Sequence, residues 1–324
     1  MSYSIVRDKA LYRQICETQD IPLFSQAWWL DEVCTPEQWE VLVLLREKSV
    51  IATMPIYRPY KGAIFMPPYA ATMGIWIRRV DEAISAEAAL SREHHIMELL
   101  IDSLPNVRYF SQRFAPAITN WLPFYWKGYL QTTRYTYQMV LPNDRSSVLL
   151  QMRKRMRNDI INAQERHHIA VRTDISADDA IRLIAMSMSR QGLSLKHPKV
   201  LRRIITSSID RRQGRLYGAY LPTGELICAS FIAWSHHTAW LIASGADPNY
   251  RAFAPQALVR WRSILELPSE ITLVDFEGSM IKGVERSYRS FGGIQTPYFE
   301  ISKGRLTIAH RLFGRLSQKI KHRG

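Results

Sequence analysis

Hydrophobic positions along this chain switch between helical and strand-like spacing, and the changes of period predict an element order. Residues 23–33, with paired tryptophans, read as a helix. Residues 39–45 and 50–57 read as strands joined through the polar Arg46-Glu47-Lys48-Ser49. A helix follows over 85–104, capped by Ser85 and stopped by Pro105, then strands over 107–111 and 135–141. The polar break at 142–147 predicts a domain boundary, giving units 1–143 and 144–324. A basic helix opens the second half near Val148, and Ser176-Ala177-Asp178-Asp179 starts another that runs to about Arg190. Three strands then follow closely, over 216–221, 226–235 and 238–244, with Thr223-Gly224-Glu225 and His236-His237 as tight turns. After the loop 245–251 come a helix over 255–267, a strand over 271–274, a short helix with a glycine stop at Gly292, and a strand over 296–301.

The second half therefore reads helix, antiparallel meander, loop, helix, strand, helix, strand. The first half shows a looser version of the same order. We read the chain as an α+β protein with a mixed sheet and flanking helices, built from two copies of one unit.

Composition changes this picture in one respect. The 324 residues carry 43 Lys and Arg against 29 Asp and Glu, a formal charge of +14. Such a surface favours polyanions: nucleic acid, phosphorylated co-substrates or an anionic membrane face. The excess concentrates in 151–172 and in 301–324. In the tail, Leu312, Phe313, Leu316 and Ile320 fall on one helical stripe, with Arg311, Arg315 and Lys319 elsewhere; this fits docking on the body of the protein or peripheral contact with an anionic membrane. No apolar run reaches the roughly 20 residues of a bilayer span, and the N-terminus has no apolar signal core, so a cytoplasmic protein is expected. Cys16, Cys34 and Cys228 are too far apart for a metal motif, and the His-His pairs at 94–95, 167–168 and 236–237 lack ligand spacing, so no metal is expected.

The candidate chemistry lies at the end of the strand 271–274. Asp275 and Glu277 stand two residues apart and point to one side, followed by Gly278 and Ser279. Two readings stand: carboxylates that take a proton from a substrate, or acids that cap the next helix. Tyr288 is a candidate proton donor or a packed ring, and Arg289 with Lys282 a candidate phosphate contact or a solvated face. The aromatic cluster Trp121, Phe124, Tyr125, Trp126 and Tyr129 reads as packing or as a stacking platform.

The order of the second half resembles the GNAT acetyltransferase superfamily. Within it the chain is similar to tandem-GNAT proteins related to the Fem-type peptidoglycan aminoacyltransferases. Arg157-Asn158-Asp159-Ile160-Ile161-Asn162-Ala163, Asp275-Phe276-Glu277-Gly278-Ser279 and Tyr288-Arg289-Ser290-Phe291-Gly292-Gly293 carry the likeness, with Trp28-Trp29 and 121–128 in the first half. No long charged hairpin interrupts the domains, as it does in some peptidoglycan members.

The resemblance implies two tandem GNAT-like domains, the first degenerate. It also implies transfer of an acyl group from acyl-CoA, acetyl-CoA foremost, to an amine on an amino sugar or cell-envelope precursor. Aminoacyl transfer from tRNA, and a non-catalytic binding protein that kept the fold, are the alternatives. Catalytic roles fall by this likeness on Glu277, Asp275 and Tyr288, with Glu277 at the substrate. Donor binding falls on Ser244, Asn249, Tyr250, Arg251, Ala254, Gln256, Ser279 and Arg289. The stretch Arg251-Ala252-Phe253-Ala254-Pro255-Gln256 occupies the place of the phosphate loop, without its glycines.

Overall fold

A computed structural model describes residues 2–79, 85–278, 280 and 282–305. Ser279 and the amphipathic stripe at 306–320 lie outside the described residues. The chain divides into two compact units, 1–133 with 298 onward, and 134–297.

In the first unit, β1 (Tyr3–Val6), β2 (Trp39–Arg46), β3 (Ser49–Tyr60), β4 (Ala63–Phe65), β5 (Trp76–Ile77) and β6 (Tyr109–Arg113) form one sheet. Its order is β1-β2-β3-β4-β6, with β5 off β3, and it ends on the C-terminal strand Ile294–Gly304 through the pairing of Glu300–Gly304 with β6. Among the described residues of this unit, only the β4–β6 pair is parallel. The helix Ala86–Asp102 begins as expected, with the Ser85 hydroxyl accepting from the Ala88 amide. Of the aromatic cluster, Phe124 is wholly buried and packs edge-on to Phe114 and Tyr129, whereas Tyr125 and Trp126 are exposed.

The second unit is built on the sheet order β7-β12-β11-β10-β9-β8. These strands are β7 (Leu130–Val140, in this unit from Arg134), β8 (Ala170–Arg172), β9 (Gly214–Tyr220), β10 (Leu226–Ser235), β11 (Thr238–Ala246) and β12 (Leu273–Asp275). The meander β9-β10-β11 is antiparallel as expected, and β11–β12 is parallel. Its core joins Tyr137 and Met139 of β7 to Ile160, Ile232, Leu258, Val274, Phe276 and Phe291.

Several features differ from the pattern-based expectation, among them the strands Tyr3–Val6 and Ala170–Arg172 and the helix Lys9–Thr18, where no element was expected. Relative to the halves split near residue 143, two strands change sides: β7 beyond Arg134 belongs with the second unit, and the last strand from Tyr298 with the first. The basic helix near Val148 is two helices, Val148–Gln151 and Lys154–Glu165, because Met152 and Arg153 are extended. Arg157 fastens this break by donating to the Met152 carbonyl at 3.1 Å. Ile160 and Ala163 of the same motif are buried, which makes that motif a packing element. Finally, a helix at Pro198–Asp210 stands where no element was expected; its buried Leu201, Ile204, Ile205 and Ser208 follow helical spacing behind a proline at the first position.

Candidate active site

The parallel pair β11–β12 is short. Thr238 pairs with Leu273, Ala239 with Val274 and Trp240 with Asp275, and there β12 ends. β11 continues six residues to Ala246, roughly 20 Å further at a strand's rise, paired on its other side with β10. Opposite Phe231 and Ile232 the register skips Ile242, a bulge that lies beyond the end of β12. The chain leaving β12 follows β7 instead: the Phe276 amide donates to the Tyr137 carbonyl at 2.9 Å, and Gly278 lies against Tyr135 and Thr136. Among the described residues no strand covers β11 on that side past Trp240. The result is a gap floored by β11 and flanked by the turn that carries Glu277.

That turn is built from Asp275. Its carboxylate is 5% exposed and accepts from the Thr136 hydroxyl, from Gln138 Nε2 at 2.9 Å and from the Glu277 amide at 2.7 Å. Gln138 stands directly across from Asp275 in the antiparallel β7–β12 pair. Glu277 and Gly278 both adopt left-handed backbone, with φ of 60° and 62°. A non-glycine residue at such a φ stores strain that the surroundings must hold, and Asp275 supplies the hold through the Glu277 amide. Glu277 itself is half-buried.

Burial is the main influence on Asp275 and raises its pKa above the usual carboxylate range, against the three donors that favour the anion. A raised native pKa means that the native state holds the proton more tightly than the unfolded chain. Its stabilising contribution is complete below the unfolded value and is lost as pH rises through the native one. The stability of the wild type relative to Asp275→Asn is therefore expected to fall as pH climbs from about 3.9 through that window. Urea midpoints measured across pH check this; parallel profiles for the two proteins contradict it.

Phe276 is fully buried and stacks on Tyr288 at 5.3 Å, and both acids act electrostatically on the tyrosine. Desolvation raises the Tyr288 pKa; Arg260 opposes the rise, and Glu277 and Asp275 add to it. The Arg260 guanidinium lies over the Tyr288 and Phe291 rings at 5.3 and 5.2 Å and donates to the Ser287 hydroxyl at 3.2 Å. Burial lowers its pKa. The structure thus brings Asp275, Glu277 and Tyr288 together.

The loop expected to hold a donor's phosphates is a 3-10 helix, Pro248–Phe253, capped by Asp247 accepting from the Asn249 amide at 2.8 Å. Ala254, at φ 53°, precedes the helix Pro255–Leu265 and provides no side-chain cap. Asn249 and Arg251 are exposed, and Ser244 and Gln256 are half-buried. The Tyr250 hydroxyl donates to Glu225 at 2.8 Å, and Phe253 stacks on His167 at 4.0 Å. Arg289 is not with this group: it pairs with Glu285 at 2.9 Å and lines a separate cavity with Arg153 and Arg286. Thr136, Gln138 and Arg260 escaped the sequence reading. The alternation of Tyr135-Thr136-Tyr137-Gln138 did mark two polar side chains on one face of a strand.

Residues 151–279 match the model of the acetyltransferase (GNAT) domain family. No curated protein matches the chain in sequence. Among solved structures, one described as FemX is similar over 92% of this chain and 97% of its own, with TM-score 0.65 and 10% identity. A tandem GNAT protein from the clavulanic acid biosynthesis pathway is similar over 94% and 100%, with TM-score 0.53 and 11% identity. The C-terminal DUF2156 domain of an Agrobacterium fabrum protein named as a lysylphosphatidylglycerol synthetase is similar over 97% of both chains, with TM-score 0.53 and 10% identity. Among the described residues no helix is long and apolar enough to cross a membrane.

Proposed function

We propose that this chain, whose residues 151–279 match the acetyltransferase (GNAT) domain family and whose fold is like that of FemX, is an enzyme that transfers an acyl group to an amine in the gap between β11 and the Glu277 turn. The observation that carries this is the three-residue parallel pair that ends at Asp275, two residues before Glu277 on its left-handed turn. The acceptor nitrogen attacks the donor's carbonyl carbon. A C–N bond forms, and the C–S or C–O bond to the leaving group breaks. Glu277 takes the ammonium proton, directly or through one water. Tyr288, kept protonated by burial, returns a proton to the leaving thiolate or alkoxide. Asp275 is a positioning residue that fixes the turn. Orientation in the gap lowers the entropic part of the barrier.

The proposed donor is acyl-CoA. The uncapped start of helix Pro255–Leu265 and the exposed Arg251 and Asn249 favour its phosphates. The proposed acceptor is the amine of an amino sugar or cell-envelope precursor. A second reading, aminoacyl transfer from tRNA, is favoured by particular features of the loop. Pro255 removes one amide donor, the Ala257 amide is turned back onto the Ala254 carbonyl at 3.0 Å, and the Asp247 carboxylate stands at the loop's start. The likeness to FemX and the charge of +14 point the same way.

Calorimetric titration with CoA and acetyl-CoA, beside a gel-shift series with tRNA, separates the two. Micromolar binding of acetyl-CoA that is weakened by Arg251→Gln is the expected result. A salt-dependent tRNA shift with no CoA binding transfers the proposal to the second donor. Absence of both leaves a binding protein with this fold.

A further inference from the structure

A cavity of about 330 Å3 lies between the start of the helix Lys154–Glu165 and the end of the helix Lys282–Ser290, lined by Arg153, Arg286, Arg289 and Ser290. Its walls are joined backbone to backbone: the Arg153 amide donates to the Ser290 carbonyl at 2.9 Å. The other terminal carbonyls of the second helix are also taken. Ser287 accepts from the Phe291 amide at 3.1 Å, Arg289 from Gly292 at 3.2 Å and Tyr288 from Gly293 at 3.2 Å. The negative end of that helix is therefore capped, and the guanidinium groups set the field of the cavity. The first helix opens on Arg153 with no side-chain cap bond, which adds positive potential from the same wall.

Arg289 is held in place from behind. Its Nε donates to Glu285 Oε1 at 2.9 Å, and the same oxygen accepts from the Tyr137 hydroxyl at 2.8 Å. The Tyr137 ring is core, and its hydroxyl oxygen accepts from Gln295 Nε2 at 2.9 Å. The pairing uses the inner edge of the Arg289 guanidinium and leaves its outer N–H groups for another acceptor. Three arginines against Glu285 leave a net of two positive charges on one small concavity.

We infer that this cavity binds a phosphate group, a mono- or diphosphate, carried by a soluble phosphorylated molecule or a lipid headgroup. Planar guanidinium forks match phosphate oxygens two at a time, which a surface arranged only for solubility does not require. The site is separate from the gap that holds Glu277, and its assignment does not rest on the transferase reading.

The test titrates the full chain with inorganic pyrophosphate and phosphate by calorimetry, and sediments it with vesicles of phosphatidylglycerol against phosphatidylcholine. Arg286 is exposed, so Arg286→Gln leaves the fold intact, and circular dichroism verifies that. Pyrophosphate binding that weakens tenfold or more in Arg286→Gln and in Arg153→Gln, recovers in part in Arg286→Lys and ignores Arg251→Gln supports the site. Sedimentation with phosphatidylglycerol that requires Arg286, without a response to pyrophosphate, supports it as a headgroup site. No binding of phosphate, pyrophosphate or phosphatidylglycerol overturns it. So does pyrophosphate binding lost in Arg251→Gln and retained in Arg286→Gln.

Discussion

Gly278→Ala is expected to cost roughly 2–5 kcal/mol of stability and to abolish transfer. A Cβ at this position would lie 2.2 Å from the Tyr135 carbonyl oxygen and 2.6 Å from Thr136 Cα, and both of those atoms are backbone. Neither can rotate away as a side-chain tip does. The left-handed φ of +62° alone costs an alanine about 1–2 kcal/mol, and forced displacement of a packed strand adds about 1–3 kcal/mol. Gly224→Ala supplies the comparison. Its φ is +86°, but nothing lies within 4 Å of an added Cβ, so it should cost about 1 kcal/mol. Guanidinium denaturation of both variants decides: equal midpoints would show that β7 is not tightly packed against the turn. The functional effect follows from the same displacement, because moving Gly278 off β7 also moves Glu277.

The elements that carry this site were readable to different degrees. The meander, the strand ending on two acids and the glycine after Phe291 follow local rules of period, branching and turn residues, and the fold keeps them. What holds them together is not local. Asp275 is fixed by Thr136 and Gln138, more than 130 residues earlier, and the arginine cavity unites Arg153 with Arg286 and Arg289 across a similar span. No periodicity encodes a partner that distant. The exchange of β7 and the last strand between units has the same cause, since a strand's sequence states which face is apolar but not which sheet it joins. The helix Pro198–Asp210 is a different omission: its amphipathic spacing was present, preceded by His197 in left-handed backbone and a proline that starts the first turn.

Within the resemblance-based site, the structure separates positions that the motif presents as one block. Asp275 and Glu277 are two residues apart, yet one is a buried acceptor of three hydrogen bonds and the other a half-buried side chain on strained backbone. Arg289 follows Tyr288 directly, but the tyrosine stacks on Phe276 while the arginine faces an outer cavity. A helix turns about 100° per residue, so neighbours on it serve different surfaces.

Glu277→Gln should lower kcat by about 10²–10⁴, the usual range for removing a general base, while leaving donor affinity unchanged. Glutamine preserves the size of the residue and removes its negative charge and its capacity to accept a proton. Asp275 still caps the turn in this variant through the Glu277 amide, so the protein should stay folded, and circular dichroism verifies that. The assay follows thiol release from acetyl-CoA with a panel of amines, under the acyl-CoA reading. Asp275→Asn makes the contrast. It should lower kcat and stability together, because it loosens the turn rather than removing the base. If Glu277→Gln stays within threefold of the wild-type kcat, the proton leaves the amine by another route and Glu277 is not the base. A stable protein with a depressed rate and unchanged donor affinity places the proton transfer on this one carboxylate.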